Sequence, residues 1–183
     1  MSSLRQNYHR VANPVPINRV RRLTDDGTGI TGDALMIGDY SITPKDFWIQ
    51  PPTGHFWILQ EVGMVVEGVA NGQLADYGDI AGGLTNGIKF FLEVDGMEID
   101  VTGSSNFKNN SDLLSNGARF NGMGFGGNQR LDSIWFPQIP DTEVIELDGD
   151  KNMKFIVRLN DDFTALTQHG YYMRAEDFGL KSR

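Results

Sequence analysis

Seven two-residue turn signals cut this chain into short pieces: Asn-Gly starting at Asn71, Asn86, Asn116 and Asn121, and Asp-Gly starting at Asp26, Asp95 and Asp148. Asn, Asp and Gly tolerate the positive φ that a tight hairpin turn demands, so each pair favours reversal over continuation. Between the turns lie runs rich in β-branched and aromatic residues: Phe47–Ile49, His55–Val69, Ile88–Val94, Met97–Val101, Leu131–Phe136, Glu143–Leu147, Met153–Leu159 and Tyr171–Ala175, with a shorter apolar run at Asp33–Ile37. Asp95-Gly96 sits between two of these runs and is the strongest hairpin signal. Asp148-Gly149 reads as another hairpin turn, and Gly63 as a bulge or bend within the longest run.

Eight or nine short strands with frequent turns predict an all-β protein. The expected architecture is a jelly-roll-like antiparallel β-sandwich over residues 33–183, preceded by an extended N-terminal arm over residues 1–32. Strand alternation aims Leu35, Trp57, Leu59, Phe90, Leu92, Ile134, Phe136, Phe155, Val157 and Leu159 inward. Helix is expected only as a turn or two, near Asn106–Ser115 and over Asp161–Gln168, the latter capped by Asp161 or Asp162. A domain of this length buries roughly 70% of its unfolded surface. It needs neither a metal nor a disulfide to fold.

Charge divides the chain at the same place. Residues 1–22 hold Arg5, Arg10, Arg19, Arg21 and Arg22 and no acid, while the whole chain has a net charge of −8. Asn13-Pro14-Val15-Pro16 keeps this stretch out of helix, because proline lacks a donor and pushes the residue before it to extended geometry. A basic arm on an acidic body suits electrostatic attachment. The body would be repelled by duplex DNA, so the expected partner of the five arginines is an acidic protein surface on another chain. No segment has the length of a signal peptide's apolar run or of a membrane span, so the expectation is a chain made in a cytoplasm, with neither nucleic acid nor membrane as a partner.

The catalytic signatures fail one by one. There is no cysteine, hence no thiol chemistry or Cys-ligated zinc. Gly122-Met-Gly124-Phe125-Gly-Gly127 has the spacing of a dinucleotide-binding fingerprint, but a strand-like run follows it where a helix amino terminus should meet the pyrophosphate. The stretch reads instead as a glycine loop, and Gly122, Gly124, Phe125 and Gly127 become candidate contacts for a neighbouring subunit. Asp148-Gly-Asp150-Lys-Asn152 opens like a calcium loop but has Met153 where the loop needs glycine and Leu159 where it needs glutamate. His9, His55 and His169 form no closely spaced pair. Trp48, Trp57 and Trp135 lie inside apolar runs and read as core rather than as sugar-stacking platforms. The chain is therefore expected to have no catalytic residues, no cofactor and no essential metal.

Two stretches carry a family likeness. Leu84-Thr-Asn-Gly-Ile88, within Tyr77–Ile88, leads straight into a strand, and Leu159-Asn-Asp-Asp-Phe-Thr-Ala-Leu166 precedes Gly170-Tyr-Tyr. Together they resemble small jelly-roll structural proteins of tailed-bacteriophage particles, of the capsid decoration or cement type. The resemblance spans about 110 residues from Tyr77 onward and covers neither the arm nor the glycine loop. It implies a virion protein that binds the major capsid protein or another virion protein. It also implies a homo-oligomer, with a trimer favoured. Neck, tail or fibre-associated components and carbohydrate-binding sandwiches are the alternatives.

Overall fold

The computed structural model describes residues 18–23, 36–67, 73–102, 107–115, 119–121, 130–135 and 145–180. They form two antiparallel sheets and almost no helix. The strands are β1 (Asn18–Leu23), β2 (Lys45–Ile49), β3 (His55–Glu67), β4 (Lys89–Val94), β5 (Met97–Asp100), β6 (Arg119–Asn121), β7 (Arg130–Trp135), β8 (Glu146–Asp148), β9 (Lys154–Leu159) and β10 (Gln168–Leu180). One sheet has six strands, ordered β1-β10-β3-β7-β6, with β8 also paired to β3; the other has four, ordered β2-β9-β4-β5.

The core lies between the sheets. Phe47 and Ile49 of β2, Phe90 and Leu92 of β4, and Phe155, Val157 and Leu159 of β9 meet Trp57, Leu59, Val62, Met64 and Val66 of β3 and Tyr171, Met173 and Ala175 of β10. The Phe90 ring stands edge-on to Tyr171 across the gap, 5.7 Å between centroids. The inward positions expected at Trp57, Leu59, Phe90, Leu92, Phe155, Val157 and Leu159 are all buried. Leu35, Phe136 and the side chain of Ile134 fall outside the described residues.

Asp95 and Gly96 turn β4 into β5 with φ of 49° and 82°, the two positive values that a two-residue hairpin of right-handed twist requires. In β3 the inward set changes parity, from odd at Trp57 and Leu59 to even at Val62, Met64 and Val66. The cause is a bulge: Arg174 pairs with Glu61 but Ala175 pairs with Leu59, which leaves Gln60 as the extra residue.

Four sequence expectations are corrected. Gly63 is not the bulge; it pairs in register with Tyr172. A Cβ there would lie 2.0 Å from the Tyr172 ring, so the glycine makes room for an aromatic laid across it. Asp148-Gly149 is not a hairpin turn, because β8 pairs with β3 while β9 belongs to the other sheet. A 3-10 turn over Gly149–Lys151 makes that crossover, capped by the Asp148 carboxylate, which accepts from the Asp150 N–H. Asp161–Gln168 is not helical, for reasons given below, whereas the earlier stretch does contain a short helix, α1 (Asn110–Ser115). Finally, β1 lies inside the segment read as an arm and pairs with β10 through six registered pairs, Asn18↔Asp177 to Leu23↔Tyr172. That part of the segment is an edge strand of the chain's own sheet.

Candidate assembly surface

Of the arginines expected to bind a partner, Arg19, Arg21 and Arg22 fall in β1, opposite Glu176, Arg174 and Met173 of β10. They stand at the edge of the six-stranded sheet. Arg5 and Arg10 lie outside the described residues, as do Gly122, Gly124, Phe125 and Gly127 of the glycine loop.

The outer face of the four-stranded sheet is the best-defined surface. Trp48, Ile156 and Phe91 line up across it, since Trp48 pairs with Ile156 and Ile156 with Phe91. Trp48 is thus on the outside, contrary to its reading as core, while Trp57 is inside. The ring faces are occupied: Lys154 Nζ sits 5.6 Å from the Trp48 centroid and the Arg158 guanidinium 4.5 Å from Phe91. These cations cover the surface on which a sugar would stack.

Arg158 also fastens the sheet edge. It makes a bidentate pair with Asp46 of β2, both contacts at 2.7 Å, and reaches Glu98 of β5 at 2.7 and 2.9 Å. One side chain on β9 therefore ties both flanking edges over the aromatic row. Hydrogen bonding from Arg158 holds the Glu98 carboxyl below its usual range. Sequence reading missed this clamp, because its three charges lie 52 or more residues apart and meet only through strand register.

Among the described residues β5 ends its sheet. All four of its residues are exposed, Met97 at 70% and Ile99 at 51%. Ile99 pairs with Leu92 and Met97 with Val94, so both point to the core side of the sheet. The apolar face thus continues past the point where the core is covered.

The stretches Leu84–Ile88 and Leu159–Leu166 meet in the fold. The Asp161 carboxylate accepts from the backbone N–H groups of Thr85 (2.9 Å), Asn86 (3.1 and 3.2 Å) and Gly87 (3.0 Å). Asn86 Nδ2 donates to the Asn160 carbonyl at 2.6 Å. The backbone continues the joint, with Tyr40 N–H donating to Asp161 O and Phe163 N–H to Gly38 O. Asp161 cannot cap a helix at its own position because its carboxylate is committed to a turn 74 residues earlier. No local pattern announces such a pairing.

Behind this joint is a buried polar chain. His169 Nδ1 lies 3.0 Å from the Met36 carbonyl, which can only accept, so Nδ1 carries the proton and Nε2 accepts from the Tyr77 hydroxyl at 2.9 Å. The Tyr171 hydroxyl follows at 3.5 Å, and Phe163 stacks on the imidazole at 4.7 Å. Burial pushes the His169 pKa down to about 4 and raises those of both tyrosines. All three side chains are sealed from solvent, so the chain braces loops and does not face a ligand.

His55 pairs with Asp177, its Nδ1 3.2 Å from each carboxylate oxygen, and joins the start of β3 to β10. Among the described residues no three His, Asp or Glu side chains gather as a metal site would need. No helix there is long and apolar enough to cross a membrane. Comparison with known proteins finds no match among family models, curated proteins or solved structures.

Proposed function

We propose that this chain is a non-enzymatic structural protein of a tailed-phage particle. Its role is that of a capsid decoration protein, a jelly-roll sandwich that binds the outer shell and reinforces it. The observation that carries the reading is the Asp161 joint. The two motifs that resemble virion proteins are 74 residues apart, and they form one hydrogen-bonded unit. A shared architecture explains why both stretches occur together. The basic amino-terminal segment supports attachment to an acidic protein surface, with the major capsid protein as the partner. Three of its arginines continue the six-stranded sheet at its edge.

Attachment can be read directly. Purified chain is added to particles that lack it, and the retained fraction is measured by sedimentation. Retention should saturate and should weaken with added salt, since exposed charges are screened beyond ~8 Å at physiological ionic strength. Removal of residues 1–17, which leaves β1 intact, should cut retention sharply. A chain that does not sediment with particles at low salt would overturn the proposal.

A further inference from the structure

The exposed edge of β5 has the properties of a strand acceptor. Val101 N–H donates to Phe90 O at 2.9 Å, so the odd-numbered residues of this strand turn their backbone groups toward β4. By the same alternation Glu98 and Asp100 turn their N–H and C=O groups toward the open side. Among the described residues β5 has β4 as its only strand neighbour. The edge is held in place by the Arg158–Glu98 pair, so it is preorganised. Natural sheets rarely leave a flat edge with exposed apolar residues unprotected. Here Met97 and Ile99 stand beside it at 70% and 51% exposure.

The chemistry of the edge selects its occupant. Residues 93–100 contribute Glu93, Asp95, Glu98 and Asp100 and no basic residue. Pairing of β5 with β5 of another copy would set these acids against each other, which destabilises a sheet. A suitable strand is basic on one face and apolar on the other. Leu4-Arg5-Gln6-Asn7-Tyr8-His9 has that pattern at period two, with Leu4 and Tyr8 on one parity and Arg5 and His9 on the other. Asn13-Pro14-Val15-Pro16 lies between it and β1 in the sequence, and each proline biases the residue before it toward extended geometry.

We infer that the segment Leu4–His9 of one copy adds as a strand to β5 of a second copy, with Tyr8 opposite Ile99. Such a contact is heterologous, because donor and acceptor are different surfaces. Repeated, such a contact builds a ring where the rotation between copies closes, and a filament where it does not. The inference concerns contact between copies and does not depend on what the assembled copies bind.

The chain has no cysteine, so a single engineered pair reports without background. Tyr8→Cys and Ile99→Cys variants are prepared separately, mixed and oxidised. The expected product is a disulfide-linked species of twice the 20.4 kDa chain mass, lost when Glu98→Pro removes an outward N–H from the acceptor. Ile42→Cys, at a site 90% exposed elsewhere on the surface, should not cross-link with Tyr8→Cys. Circular dichroism of each variant checks that its sheets are intact. Absence of the Tyr8–Ile99 product would overturn the inference. So would an equal yield with Ile42→Cys, or a carrier of both cysteines that closes only within one chain. No particle enters the assay, so its failure leaves the particle-binding result standing, and the reverse also holds.

Discussion

Replacing Asp161 by alanine tests whether the two distant motifs are one structural unit. The carboxylate accepts from three backbone N–H groups at 2.9–3.2 Å. Thr85 and Asn86 are exposed, and water can replace much of what they lose, whereas Gly87 is buried and its N–H would be orphaned. An orphaned buried donor costs about 1–3 kcal/mol, and each of the other two bonds about 0.5–1 kcal/mol after water takes over. The expected loss is roughly 2–5 kcal/mol, or about 4–20 °C in Tm for a chain of this size. Asp161→Asn keeps one acceptor oxygen and should lose about half as much. Asp162→Ala is the control: its carboxylate caps only Thr164 nearby, through the N–H at 2.9 Å and the hydroxyl at 2.7 Å. Urea unfolding at neutral pH gives the three values. If Asp161→Ala costs no more than Asp162→Ala, the joint does not hold the fold together and the reasoning fails.

Three further outcomes follow from the geometry. His169 is held near pKa 4 against an ordinary value of 6.5, so above pH 6.5 both folded and unfolded chains carry it neutral and its contribution is full. As pH falls toward 4 the unfolded chain takes up a proton that the folded one refuses, and about 3 kcal/mol is lost; His169→Gln should flatten the stability profile in that window, and an unchanged slope would contradict the buried neutral assignment. Gly63→Ala should destabilise by about 1–3 kcal/mol through overpacking against Tyr172, and Tyr172→Ala in the same chain should recover most of that loss in thermal unfolding. Arg158→Lys keeps a charge but loses the fork that spans Asp46 and Glu98, so amide hydrogen exchange should speed up at β5 more than at β4.

The sequence makes much of the framework legible, because alternation and tight turns are local. Asp95-Gly96 forms the expected hairpin, and Phe90, Leu92, Phe155, Val157 and Leu159 face inward as their period of two requires. Errors arose where a local signal has a non-local answer. The Asp148-Gly149 turn is real, but nothing in it says that β8 and β9 belong to different sheets. Gly63 was read as a backbone feature, and its reason is the Tyr172 ring from β10. Asp161 looks like a helix cap to its neighbours and serves Thr85–Gly87 instead. The candidate assembly surface is half visible: the arginine cluster stands out by composition, while the edge at Met97 and Ile99 appears only once β5 is seen to end its sheet among the described residues.

The place proposed for this chain is the outer shell of a phage particle. Quantitative mass analysis of purified particles decides it, by counting this chain against the major capsid protein. A decoration protein should appear at a fixed ratio near stoichiometric with the shell subunits, and treatment that strips it should leave particles less resistant to heat. Absence from washed particles would rule this placement out. So would a few copies per particle, the count of a neck or tail component.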